Sequence, residues 1–156
     1  MDPAFDDEIR DRFLDLWEEE RENLPEHFLA DPETALAAIL LFDQFPRNMF
    51  RGHADQFSTD PLALAIAKGA VERGHDDGMT SARRGFLYLP FEHSEDMADQ
   101  RQSLLLFTAL GDAEQLKYAR LHHDVIQRFG RFPHRNAMLG RKPTAIEAAA
   151  GEVVPW

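Results

Sequence analysis

The chain has 156 residues, 44% of them hydrophobic and 29% charged, with no cysteine and a formal net charge of −11. That is enough apolar material for a buried core and too much for a disordered chain, and no uninterrupted apolar stretch approaches the roughly 20 residues a bilayer crossing needs. Without cysteine there is no disulfide, thiolate metal site, thiol nucleophile or iron–sulfur cluster, so any metal must be held by His and carboxylate. The acidic balance excludes general binding to a phosphate backbone, and the N-terminus lacks the basic and then apolar pattern of a signal peptide, which makes cytoplasm the default expectation. Length and composition predict one domain over 1–156.

Three Asp-Pro pairs, at Asp2-Pro3, Asp31-Pro32 and Asp60-Pro61, read as helix starts, with Asp as cap and Pro in the first turn. From the first, Phe5, Ile9, Phe13, Leu16 and Trp17 recur at helical spacing with acids on the other face, up to a break near Pro25. From the second, Leu36, Ile39, Leu40 and Asp43 share a stripe, and Pro46 predicts a stop or kink. The third carries Leu62, Ile66 and Ala70 and closes around Gly74.

Residues 81–89 predict another apolar helix, interrupted by Pro90, with Ser94 capping a following helix that runs to about Leu110. Gly111-Asp112 ends that helix and caps the next, whose buried stripe runs Leu116, Ala119, His122, Ile126 and Phe129 to a close at Gly130. Thr144 and Glu147 form a capping box before a last short helix. No alternating strand pattern appears. The expected fold is all-α, with six or seven helices in antiparallel hairpins. The 29-residue spacing of the Asp-Pro pairs, and the echo of Phe45-Pro46-Arg47-Asn48 in Phe132-Pro133-His134-Arg135-Asn136, hint at repeated hairpins.

Charge is uneven along the chain. Residues 1–34 carry 13 acids and 3 bases, whereas residues 117–142 carry 7 bases and 1 acid. Three segments combine proline, apolar anchors and polar groups at helix ends: 43–51, 88–96 and 122–136. Asp43, on an apolar stripe, demands a cationic partner, from Arg47, Arg51 or an arginine of 128–135, and a buried ion pair pinning the Pro46 turn is its bland reading. His122 sits in a core-type position, while His123 points away from it. Ser94 beside His93 is better explained as a cap than as a nucleophile.

The blocks D-Q-F-P-R-N-M-F-R-G (43–52), L-Y-L-P-F-E-H-S-E-D-M-A-D-Q (87–100) and R-F-G-R-F-P-H-R-N-A-M-L-G-R (128–141) resemble the signature segments of an uncharacterised, mainly bacterial domain-of-unknown-function family with a tetratricopeptide-repeat-like helical fold. The resemblance spans nearly the whole chain. It implies a helical array and no established substrate, cofactor or catalytic residue, and it places Asp43, Gln44, Arg47, Asn48, Arg51, Glu92, His93, His122, Arg131, His134, Arg135 and Asn136 in the distinctive blocks. Members of that family usually begin with a further aromatic-rich segment ahead of Met1, whose absence is expected to leave an apolar groove exposed.

The leading functional expectation is a polar pocket for a small carboxylate- or phosphate-bearing ligand. In it Arg47, Arg51, Arg131 and Arg135 bind anionic oxygens, Asp43 and Glu92 orient them, and Asn48 and Asn136 fix geometry, with His93, His122 and His134 in the same blocks. The enzymatic alternative makes His122 a general base, or gathers Glu92, His93, His122 and His134 around zinc or iron for hydrolysis. A third reading is an adaptor that binds peptides along a concave face, or whose acidic first helix docks a basic partner or the basic end of another copy of this chain. No cofactor, nucleic acid or membrane partner is expected.

Overall fold

The structure, a computed structural model, describes residues 2–151. Its α-helices are α1 (Pro3–Glu20), α2 (Pro32–Ile39), α3 (Phe45–Met49), α4 (Asp60–Glu72), α5 (Ser81–His93), α6 (Met97–Leu110), α7 (Ala113–Phe129) and α8 (Ala145–Ala150), with 3-10 turns between α1 and α2, α3 and α4, and α7 and α8, and no strand among the described residues. Six of these span eight residues or more and two are one-turn pieces, as the all-α expectation requires. The chain divides into two compact units, one up to Pro90 and one from Phe91 onward, the division falling inside α5.

In the first unit the capping logic holds twice. Asp2 accepts from the Ala4 amide at 3.1 Å and Asp31 from the Thr34 amide at 2.9 Å, each with proline in the first turn. The third Asp-Pro start differs: α4 begins at Asp60 itself, whose carboxylate takes both guanidinium nitrogens of Arg47 at 3.0 and 3.2 Å instead of capping. A bidentate charge-assisted pair is stronger than a single cap bond. Along α1 the stripe is narrower than its spacing suggests, since Ile9 and Trp17 are buried but Phe5 and Leu16 stay exposed.

Pro46 does not stop the helix. α2 passes through a π-helical turn, Leu40–Gln44, directly into α3, with the Phe45 amide bonding back to the Leu40 carbonyl. Proline has no N–H to offer the carbonyl of Phe42. That carbonyl instead accepts the Thr59 hydroxyl at 2.7 Å, and the same hydroxyl oxygen accepts the Trp17 indole N–H at 3.2 Å. The missing ladder bond is thereby replaced by a link joining three distant segments.

α1 packs mainly on α3, and α2 on α4. Between α1 and the α2–π segment lies an open apolar groove of about 460 Å³.

Pro90 also lies inside its helix, and α5 continues to His93. Proline there removes the donor for the Phe86 carbonyl, and Phe86 is on an exposed face where water can replace it. In the second unit, the last carbonyls of α5 are capped by a side chain: Gln100 Nε2 donates to the Glu92 and Ser94 carbonyls, both at 2.7 Å. The cap of α6 is Asp96, two residues beyond the expected Ser94, and accepts from the Ala98 and Asp99 amides; the Ser94 hydroxyl is turned to the Asp99 carboxylate at 2.8 Å. α6 and α7 form a hairpin through Gly111, at φ +79°, and Asp112, which caps α7. α7 closes at Gly130, and Thr144 and Glu147 form the capping box before α8.

A candidate histidine–carboxylate site

The first block belongs to the first unit. Asp43 is fully buried on the π turn, and Arg47 Nη1 stands 3.5 Å from its carboxylate while also donating to the Asp43 carbonyl and to Asp60. Gln44 donates its amide to Asp43 as well. Burial acts to lower the Arg47 pKa, but Asp43 and Asp60 together raise it above the ordinary arginine value. Arg51 grips Asp6 of α1 at 2.6 and 2.9 Å, and Asn48 donates to the same carboxylate at 2.8 Å. These bonds, Arg51 first and Asn48 second, hold the Asp6 carboxyl far below the usual range. Arg47, Asn48 and Arg51 are thus joined to the carboxylates of Asp43, Asp60 and Asp6, which ties α1, α3 and the start of α4 together and is the ion-pair arrangement foreseen for Asp43.

In the second unit, residues of the second and third blocks meet around Phe132, which is fully buried. His122 stands edge-on to its ring at 5.6 Å, His134 lies 5.6 Å away, and the Arg135 guanidinium covers it at 4.5 Å. Arg135 also donates to the His93 carbonyl at 3.0 Å, and the His93 and His122 rings are 5.9 Å apart. The Phe132 main chain is clamped on both sides: its amide donates to Glu95 at 2.7 Å and its carbonyl accepts from Arg141 at 3.0 Å. Glu95 and Arg141 close the clamp as a bidentate pair at 2.7 and 3.0 Å. Despite burial, Arg141 and the Phe132 amide keep the Glu95 carboxyl below its ordinary pKa.

Within this frame Glu92 and His122 form a dyad. Glu92, on the last turn of α5, is buried, and its Oε1 lies 2.9 Å from His122 Nδ1. The same nitrogen lies 2.9 Å from the Tyr118 carbonyl, one turn back on α7. Two acceptors converge on Nδ1, an arrangement that favours the proton on that nitrogen and the lone pair of the neutral ring on Nε2. His134 is kept neutral: burial first, then Arg135 and His122, push its pKa down to about 4.

The remaining candidates are engaged elsewhere in the same unit. Arg131 binds Glu147 through two bonds of 2.7 Å, and Asn136 donates to Glu147 at 3.2 Å while accepting from Arg141 at 2.9 Å. Arg131 leads the causes that hold Glu147 far below its usual carboxyl range. Arg131, expected to bind anionic oxygens, and Asn136, expected to fix geometry, are thus bonded within the 130–147 segment, which they brace.

The metal alternative also needs correction. Glu92 and His122 meet, but among the described residues no group of three or more His, Asp or Glu side chains is arranged to hold a metal ion. The Nδ1 face of His122 is committed to Glu92 and Tyr118. Sequence reasoning gave no site role to Glu95, Arg141 or Gln100, and saw Glu147 only as a capping residue and Phe132 only as part of a repeated pattern. Glu95 and Arg141 lie 46 residues apart, and no local periodicity pairs residues at that distance.

Three comparisons with known proteins bear on the chain's family. The chain is 44% identical to a structure of a protein of unknown function from Agrobacterium tumefaciens, superposing with a TM-score of 0.86 over 96% of this chain and 84% of that one. Comparison with curated proteins finds no match. The sequence profile of the bacterial proteins of unknown function called DUF924 matches residues 1–150. With the profile matching almost end to end, the chain belongs to the DUF924 family.

Proposed function

We propose that the second unit carries an acid–base site in which His122 removes a proton and Glu92 orients and electrostatically supports it. The observation that carries this reading is the 2.9 Å approach of the buried Glu92 carboxylate to His122 Nδ1. A carboxylate on one ring nitrogen fixes the tautomer, aims the other nitrogen and stabilises the imidazolium formed when it takes a proton. Arg135, bound to the His93 carbonyl and stacked on Phe132, supplies fixed positive charge beside the histidines. The substrate this suits is a small molecule bearing a carboxylate or phosphate, and the reaction is hydrolysis: His122 Nε2 takes a proton from water as the water oxygen bonds to the acyl or phosphoryl centre, the bond from that centre to the leaving oxygen breaks, and the proton on Nε2 passes to the departing oxygen.

Two further atoms support a polar guest nearby. Gln100 Oε1 and Ser103 Oγ are buried one turn apart on α6 without a hydrogen-bond partner among the described residues. Such orphans are rare in native interiors, and a polar guest beside them would give them partners. The hairpin succession, best seen in α6 and α7, also supports the tetratricopeptide-like stacking that the sequence resemblance implies.

The test is turnover of p-nitrophenyl acetate and p-nitrophenyl phosphate by the full chain, beside His122→Ala and Glu92→Gln. A general base contributes on the order of 10²–10⁴-fold, so His122→Ala is expected to lose at least about a hundredfold of any turnover, and Glu92→Gln a smaller factor. Turnover that survives His122→Ala unchanged contradicts the proposal.

A further inference from the structure

The groove of the first unit is a separate feature. Its floor and walls are Phe13, Leu16, Phe28, Ala37, Leu41 and Phe45, and its volume is about 460 Å³. It is an open trough: Leu16 and Ala37 are exposed, and Phe13 and Phe45 are half-buried. An apolar trough between two helices has the shape that receives the apolar face of a further helix. Its edge is acidic. Glu20 lines the groove beside His27, which stands 3.7 Å from it, and accepts from Asn23 at 2.9 Å, while Glu8, Asp15 and Glu19 are exposed on the flank of α1 next to the Phe13/Leu16/Glu20 stripe. Arg12 on the same flank is bonded to Glu8 at 3.2 Å.

We infer that this groove is a docking surface for an amphipathic, basic helix of a partner protein. The apolar floor takes side chains repeating at i, i+3 and i+4, and the acidic flank takes lysines or arginines on the helix's adjoining face. The spread of the acids favours a helix over a small cation. Glu8 to Glu19 is eleven residues, about 16 Å along a helix at roughly 1.5 Å per residue, which a peptide spans and a single cationic head group does not. The chemistry agrees with the chain as a whole, since residues 1–34 carry 13 acids against 3 bases.

The experiment uses the full chain and a fluorescein-labelled synthetic 18-residue peptide of leucine and lysine with its apolar face at helical spacing. Its controls are a scrambled peptide of the same composition and a leucine–glutamate version. Fluorescence anisotropy is expected to show saturable binding of the amphipathic lysine peptide, at least tenfold weaker for the scrambled one and undetectable for the glutamate one. Ala37→Arg, at an exposed helical position, blocks the floor and is expected to weaken binding at least tenfold with the helical circular dichroism unchanged. The double variant Asp15→Lys, Glu19→Lys is expected to weaken it to a similar extent and to lose the salt dependence of the parent. Equal binding of the amphipathic and scrambled peptides, or of the parent and Ala37→Arg, overturns the inference. So does Nile red bound in the groove and not displaced by saturating peptide, which identifies a small-molecule pocket.

Discussion

Single residues in this protein carry opposite loads. His134 is neutral in the fold, with its pKa at about 4 because burial, Arg135 and His122 all disfavour its proton, Arg141 adds to them, and Glu95 opposes them. A folded pKa below the unfolded value of about 6.5 means that the unfolded chain binds more protons between those limits. Stability from His134 is therefore fully present above about pH 6.5 and lost as the pH falls toward 4. Allowing for partial exposure, the loss is on the order of 2 kcal/mol. Urea unfolding at pH 7 and pH 4.5 is expected to show a smaller difference for His134→Gln than for the parent. Thr59 bears a structural load, because its hydroxyl serves both the Phe42 carbonyl and the Trp17 indole. Thr59→Val leaves both without a partner in the interior and is expected to cost about 2–4 kcal/mol in urea unfolding. Sequence made part of this visible. Asp43 on an apolar stripe pointed to a buried ion pair, and Arg47, one turn on, supplies it. Thr59 gave no such signal, since its role exists only because Pro46 frees a carbonyl 17 residues away.

At the level of elements, caps and closures were the most legible features, because their chemistry is local. Asp2, Asp31, Gly111, Asp112, Gly130 and the Thr144/Glu147 box all act where the residue types place them. Of the two internal prolines, Pro46 follows the π turn that deforms the helix, in keeping with the kink offered as the alternative to a stop, whereas Pro90 does not end α5. Thr59 rescues the freed carbonyl at Pro46 and solvent can do so at Pro90. The π turn that carries Asp43 has no signature in the local pattern. It keeps Asp43 and Arg47 within reach of Asp60, so the junction of α2, α3 and α4 depends on one guanidinium. Arg47→Met leaves Asp43 buried without its cation and is expected to destabilise by about 3–5 kcal/mol. The paired change Asp43→Asn, Arg47→Met is expected to recover part of that loss, and thermal unfolding of the three proteins checks the order.

For the whole molecule, charge is the property that composition predicts best. The net charge is −11. Asp6, Asp31, Glu95, Asp112 and Glu147 all have carboxyl pKa values below their ordinary ones, held there by arginines, amides and caps. Groups of this kind add stability above their unfolded pKa values near 4, and the contribution disappears as the pH falls through the lower folded values. Melting temperature is expected to decline in two stages on acidification, first as His134 is penalised below about pH 6.5, then more steeply below about pH 4. A melting temperature that stays flat from pH 7 to pH 5 contradicts the first stage.

The proposed chemistry depends on the proton at one ring nitrogen. Two-bond proton–nitrogen correlation spectra of the histidine rings, recorded at pH 8 and assigned with His122→Gln, read it directly. With the Glu92 carboxylate and the Tyr118 carbonyl both facing Nδ1, that nitrogen is expected to appear protonated and Nε2 bare. The opposite tautomer, with the proton on Nε2, would remove the base from the site and contradict the proposal.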